Sequence, residues 1–167
     1  LPDGMETAGT TLVAPNSLVA LRGDNIELWR VGGAQPLASW PVPALRLLQL
    51  ADKSADGRLL VYQDWMWGQL YVLRVDPAAQ TLAEVWRSEE AHVNPGLPRL
   101  SPLLPLLAII NDGVFSVSHL DGGESIWTSK STAAVADQVF QTVQWSTDGQ
   151  YLITQARYHG VRAAAII

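Results

Sequence analysis

The sequence predicts an all-β chain built from a repeated antiparallel unit of four strands, and three observations predict it. Four turn-like stretches, Ala14-Pro15-Asn16-Ser17, Ser54-Ala55-Asp56-Gly57, Ser101-Pro102-Leu103-Leu104 and Ser146-Thr147-Asp148-Gly149, each lead directly into a short apolar segment. Their first residues stand 40, 47 and 45 positions apart, a period typical of arrays of small β-units rather than of one conventional core. Composition agrees: 48% hydrophobic and 16% charged residues, with 13 glycines and 10 prolines, supply core material and frequent turns.

Anchoring on the turns, the strands follow from β-rich or alternating runs of four to eight residues. The first unit reads Thr10–Ala14, Ser17–Arg22, Asn25–Val31 and Pro36–Val42, with Gly32-Gly33 as its outer turn. The second reads Arg46–Leu50, Leu59–Gln63, Gln69–Val75 and Leu82–Arg87. Here Asp56-Gly57 is expected to make a tight hairpin, because Gly lacks a Cβ and Asp tolerates the left-handed region. Asp76-Pro77 ends the third strand by removing a donor. The third unit reads Arg99–Ser101, Leu106–Ile110, Val114–His119 and Glu124–Ser129, with Asp121-Gly122-Gly123 as outer turn. The fourth offers three strands, Gln141–Ser146, Tyr151–Ala156 and Val161–Ile167. One outer strand is expected to be missing.

Trp40, Trp86 and Trp127 recur in the predicted fourth strands, 46 and 41 residues apart. A large aromatic at one phase of a repeat fills the gap between stacked sheets. Trp29 and Trp145, on inner strands, are expected in the core for the same reason.

These residues resemble β-propeller repeats of the WD40-like and TolB-like type. Gly23-Asp24-Asn25-Ile26-Glu27-Leu28-Trp29-Arg30-Val31-Gly32-Gly33 is similar to the third strand of a WD40 blade, with Arg30 where that family usually has Asp, and Ala91-His92 is similar to its Gly-His. Only two of the four turns keep Asp-Gly, so the family's His–Ser–Asp hydrogen-bond set is incomplete in every unit. The resemblance implies a β-propeller arc of about four blades of four-stranded antiparallel sheets, the last blade incomplete. The whole chain, 1–167, is then a single propeller fragment with blades near 8–43, 44–90, 91–131 and 132–167. Closed propellers usually have about four to eight blades. The remaining blades are expected in a longer chain or, failing that, in a second copy that closes the ring, with a small four-bladed ring as the third arrangement.

Several functions are disfavoured by composition. A formal net charge of −5 without Lys/Arg clusters gives no basic face for nucleic acid. No apolar run reaches the roughly 20 residues of a membrane-spanning helix, and Leu103–Ile110 is interrupted by Pro105. Without cysteine there is no disulfide, thiolate ligand or thiol nucleophile. The chain begins at Leu1 with no signal-like segment, which is read as a processed or excised piece; a soluble, extracytoplasmic setting is slightly favoured over a cytoplasmic one. His92, His119 and His159 have no metal-ligand spacing. Gly-x-Ser-x-Gly, P-loop and dinucleotide fingerprints are absent, so neither a catalytic set nor a cofactor is expected. Asp56, Asp112 and Asp148 beside glycine are first of all turn residues.

One segment looks devoted to something other than folding. Asp64-Trp65-Met66-Trp67-Gly68 joins the second and third strands of the second unit, and two tryptophans around a methionine cannot all enter one core. Such side chains carry much of the energy of protein interfaces; the competing role is burial against a neighbouring blade. Equivalent loops are Gly23-Asp24, Asn111-Asp112 and Tyr158-His159-Gly160. Trp65, Met66, Trp67, Asp24, Asp112, Tyr158 and His159 would together form an aromatic and acidic loop face suited to a protein or peptide, or to a sugar. The expected function is a non-enzymatic, protein-binding scaffold. The alternatives are an accessory gating propeller of a prolyl-oligopeptidase-like enzyme, which a following α/β-hydrolase pattern would support, and a ligand-binding or sensor propeller of the bacterial envelope, which an upstream signal peptide would support.

Overall fold

Short apolar runs punctuated by Gly, Pro and Asp leave little room for helix, and the computed structural model contains none among the residues it describes, 9–43, 47–88, 97–111, 114–121, 125–128, 139–158 and 161–166. The chain divides into two compact units, Leu1–Ser88 and Glu89–Ile167. Among the described residues no helix is long and apolar enough to cross a membrane.

The first unit holds two sheets, each with its strands in chain order. Sheet one consists of β1 (Thr11–Ala14), β2 (Ser17–Arg22), β3 (Asn25–Arg30) and β4 (Pro36–Pro41). Sheet two consists of β5 (Leu48–Lys53), β6 (Leu59–Asp64), β7 (Leu70–Asp76) and β8 (Thr81–Arg87). All neighbouring strands are antiparallel. Alternate residues of facing strands form one core, with Val19, Ile26 and Leu28 of sheet one against Leu60, Tyr62, Tyr71 and Leu73 of sheet two. Trp40 of β4 reaches Tyr71 of β7, ring centroids 5.7 Å apart, as expected of an aromatic that joins stacked sheets. Trp29 faces the other way and is buried with Leu18 and Ala20, its indole N–H donating to Glu27 at 2.9 Å.

The second unit repeats the plan. Sheet three contains β9 (Arg99–Leu100), β10 (Leu106–Asn111), β11 (Val114–His119) and β12 (Ser125–Thr128). Sheet four has three strands among the described residues, β13 (Val139–Trp145), β14 (Leu152–Tyr158) and β15 (Val161–Ile166). Ala108, Ile110, Phe115 and Val117 pack with Val143 and Leu152, and half-buried Trp145 donates its indole N–H to Arg99 O at 3.0 Å.

The first strand of sheet two differs from expectation. It begins at Leu48 and continues through Lys53, where the sequence reading ended at Leu50. A bulge between Leu50 and Asp52 shifts the register so that Asp52 and Lys53 pair with Val61 and Leu60. The polar pair therefore stays in the ladder, and Lys53 Nζ donates to Leu12 O at 2.9 Å on sheet one. β13 likewise starts earlier than expected, at Val139, across a bulge between Phe140 and Thr142.

The Ser-x-Asp-Gly turns also differ in mechanism. Only the glycines take positive φ, +71° at Gly57 and +66° at Gly149, so the aspartates act through their carboxylates instead. Asp56 Oδ1 accepts from Ser54 Oγ at 2.7 Å and Arg58 N at 3.0 Å, while Ser54 Oγ accepts from Leu59 N at 2.8 Å. Asp148 repeats this with Ser146 Oγ at 2.6 Å and Gln150 N at 3.1 Å. Burial of Asp56 opposes ionisation, but these donors outweigh it and hold its carboxyl below the usual range. At Asp148 the Ser146 hydroxyl is the main cause of the same lowering. The turn at Ser101, which lacks Asp-Gly, keeps the serine function, with Leu104 N donating to Ser101 Oγ at 3.2 Å.

Candidate functional site

The tryptophan loop is a four-residue connection closed by hydrogen bonds at its base. Asp64 N donates to Gln69 O and Gly68 N donates to Asp64 O, both at 2.8 Å. Gly68 takes φ +68°, the left-handed conformation that lets the chain turn back into β7. Inside the loop, the buried Asp64 carboxylate accepts from Met66 N at 2.9 Å and Trp67 N at 3.4 Å. The backbone is thereby held from below while its side chains point elsewhere.

Neighbouring strands reinforce that base. Trp65 N donates to Leu47 O at 3.0 Å, and the Trp65 indole N–H donates to Gln49 Oε1. On the other side Gln69 Nε2 donates to Ser88 O at 3.1 Å, Leu70 N to Ser88 Oγ at 3.0 Å, and the Tyr71 hydroxyl to Gln69 Oε1 at 2.7 Å. Arg87 lies 5.2 Å over the Tyr71 ring and forms a two-pronged pair with Glu84, at 2.9 and 2.8 Å. The Glu84 carboxylate is the main reason its guanidinium holds its proton more tightly than usual.

Above this frame Trp65 is 67%, Met66 62% and Trp67 56% exposed. Leu47, opposite Trp65 by continuation of the Leu48–Asp64 register, is 62% exposed and extends the apolar surface. The sequence reading missed Leu47 by placing it inside a strand. In the structure exposed Leu47 and Gln49 alternate with buried Leu48, so Leu47 lies on the outward face.

Of the other expected face residues, Asp24 is exposed in a two-residue connection whose first residue, Gly23, has φ +54°. Its carbonyl accepts from Val42 N at 2.8 Å, at the start of the segment leading towards Leu47. Asp24 and Trp65–Trp67 both lie on connections from a second to a third strand, at the corresponding end of two sheets in one unit. Tyr158 ends β14 and is placed by its backbone alone. Asp112 and His159, like His92, lie outside the described residues. Among the described residues no group of three His, Asp or Glu side chains is arranged to hold a metal ion.

Meander sheets of this kind, repeated along a chain in sequence order, are the blades of a β-propeller, and that is the fold of this chain. Solved structures show the same. The β-propeller domain of Cps50 (Swd1) from Myceliophteria thermophila superposes with a TM-score of 0.67 at 10% identity, over 95% of this chain and 50% of that one. The C-terminal WD40 domain of Sif2 gives a TM-score of 0.59 at 10% identity, over 91% and 42% respectively. An oligogalacturonate lyase in complex with manganese gives 0.60 at 15% identity, over 95% and 49%. The chain thus spans about half the length of these structures or somewhat less, and at such identities the likeness is one of fold. No protein-family model and no curated protein sequence matches the chain.

Proposed function

We propose that the chain is a non-enzymatic β-propeller module that binds a protein or peptide through the loop face containing Leu47, Trp65, Met66 and Trp67. The observation that carries this reading is the contrast between exposed side chains and an internally bonded frame. Three consecutive large apolar residues stand in solvent, while the nearby polar groups of Asp64, Gln69 and Ser88 bond within the protein. A sugar needs donors and acceptors beside the stacking ring, and a phosphate needs an available cation; here the Trp65 indole N–H is already bonded to Gln49 and Arg87 is paired with Glu84. An apolar anchor from a peptide asks only for desolvation, and Trp and Met surfaces provide most of that energy at interfaces. Asp24 is assigned to the rim of this face, and Asp112, Tyr158 and His159 are proposed as binding residues on the equivalent connections of their own sheets. We further assign the four sheets to consecutive blades near 8–43, 44–90, 91–131 and 132–167, within a ring completed by more blades or by a second copy.

Selection of a random peptide library on the wild-type chain, with counter-selection on Trp65→Ala/Trp67→Ala, tests the proposal. Loop-dependent peptides sharing an apolar anchor are expected. Failure to find any, together with oligosaccharide-induced shifts of the indole N–H resonances, would replace the peptide reading with a sugar-binding one.

A further inference from the structure

Met66 is the middle residue of the exposed Trp65-Met66-Trp67 run and is itself 62% exposed. Its amide is fixed to the Asp64 carboxylate, so the side chain projects from a held backbone rather than from a freely moving loop. The chain has no cysteine to react first with an oxidant, and its only other methionine is Met5. Access, a constrained position and the absence of a competing thiol coincide at one residue.

We propose that Met66 is an oxidation site through which a peroxide switches off this surface, an inference that rests on the docking role given to the loop above. The sulfur lone pair attacks one oxygen of hydrogen peroxide, the O–O bond breaks and an S–O bond forms. Sulfur loses two electrons, the other peroxide oxygen leaves as hydroxide, and the proton still on the transferred oxygen passes to that hydroxide, leaving the sulfoxide and one water. The product, methionine sulfoxide, is polar and a strong hydrogen-bond acceptor, so an apolar anchor seated between Trp65 and Trp67 would have to displace its water. The bonds from Met66 N and Trp67 N to Asp64 do not involve the sulfur, so the loop keeps its backbone conformation. Sulfoxide reductases reverse the reaction, which makes the modification a switch.

The test treats the protein with dilute hydrogen peroxide and follows it by peptide mass mapping and by the fluorescence of anilinonaphthalene sulfonate, a probe of exposed apolar surface. Met66 is expected to gain one oxygen at least as fast as free methionine, with dye binding falling several-fold and returning after sulfoxide reductase treatment. Met66→Leu should show no peroxide response, whatever its starting signal. Slow oxidation of Met66, or oxidation with unchanged dye binding, would overturn the switch while leaving the patch intact. If the reduced wild-type protein and Trp65→Ala/Trp67→Ala bind dye equally, the docking reading fails and the switch fails with it, although mass mapping still reports the chemistry.

Discussion

Gly57→Ala separates two demands that meet at one turn. Its φ of +71° costs a residue bearing a Cβ about 1 to 2 kcal/mol. In addition, the new Cβ would stand 2.4 Å from Val13 O, 2.9 Å from Val13 Cα and 3.0 Å from Val13 C. Those are backbone atoms of β1, at the bulge between Leu12 and Ala14, and no side-chain rotation can relieve the overlap. Either the turn retreats from sheet one or β1 shifts, and forced repacking of this kind costs about 1 to 3 kcal/mol more. The total is about 2 to 5 kcal/mol. Gly23→Ala is the control, since φ there is +54° but nothing lies within 4 Å of the added Cβ, leaving the backbone cost alone. Urea unfolding at 25 °C followed by tryptophan emission gives both values from the midpoints, with equal slopes if the native and unfolded states are otherwise unchanged. A Gly57→Ala variant within about 1 kcal/mol of Gly23→Ala would refute the close approach of this turn to β1.

The same turn in the second unit has a softer neighbour. Gly149→Ala meets Ser101 Oγ at 3.1 Å, a side-chain atom that need move only slightly and without leaving its bond to Leu104 N, so its cost should exceed that of Gly23→Ala by less than about 1 kcal/mol in the same unfolding assay. Replacing Trp65 and Trp67 together by Ala should change stability by less than about 1 kcal/mol, measured by thermal melting; a loss of several kcal/mol would show that they support the fold. Tyr71→Phe removes the 2.7 Å bond to Gln69 and should cost about 1 kcal/mol in urea unfolding. Asp56 and Asp148 are held below their ordinary value of 3.8, so their turn bonds stabilise the native state fully above that pH. That contribution should disappear as pH falls below 3.8 through the lowered values, and Asp56→Asn with Asp148→Asn should flatten the acid limb of a stability–pH curve.

Strand positions were legible wherever alternation and turn chemistry agreed. β2 and β11 have the predicted ends, and Asp76-Pro77 stops β7 where expected. β5 was not legible, because a bulge lets polar Asp52 and Lys53 continue a ladder that composition alone would end, and a bulge leaves little mark in a single sequence. Asp-Gly announced the turns but not their mechanism, since left-handed Asp and carboxylate-capped Asp require the same residue pair. Trp65, Met66 and Trp67 stood out because no single core could accept all three. Leu47 did not, since within the expected strand Arg46–Leu50 it is one leucine among several, and its exposure depends on the register set by Leu48 and Asp64.

The turns at one end of the sheets are tied to the neighbouring sheet, and this bears on the binding surface proposed above. Connections from a first to a second strand contact the adjacent sheet: Gly57 meets Val13 within one unit, and Gly149 meets Ser101, Pro102 and Leu103 within the other. Such turns cannot lengthen without parting the sheets. In three of them the serine amide donates to, or its hydroxyl caps, a group within five residues, at Ser54, Ser101 and Ser146 alike. At the connection from the second to the third strand of sheet one, by contrast, nothing lies within 4 Å of a Cβ added at Gly23. Two residues separate Arg22 from Asn25, Asn111 from Val114 and Tyr158 from Val161, each pair joined across its ladder. Only between Asp64 and Gln69 does the connection grow to four, and the sequence there is Trp-Met-Trp-Gly, with Asp64 placed to hold it. Glycine accounts for the turn; the three large apolar residues are more than half exposed, so packing within the sheet does not account for them, which is the premise of the docking role proposed above.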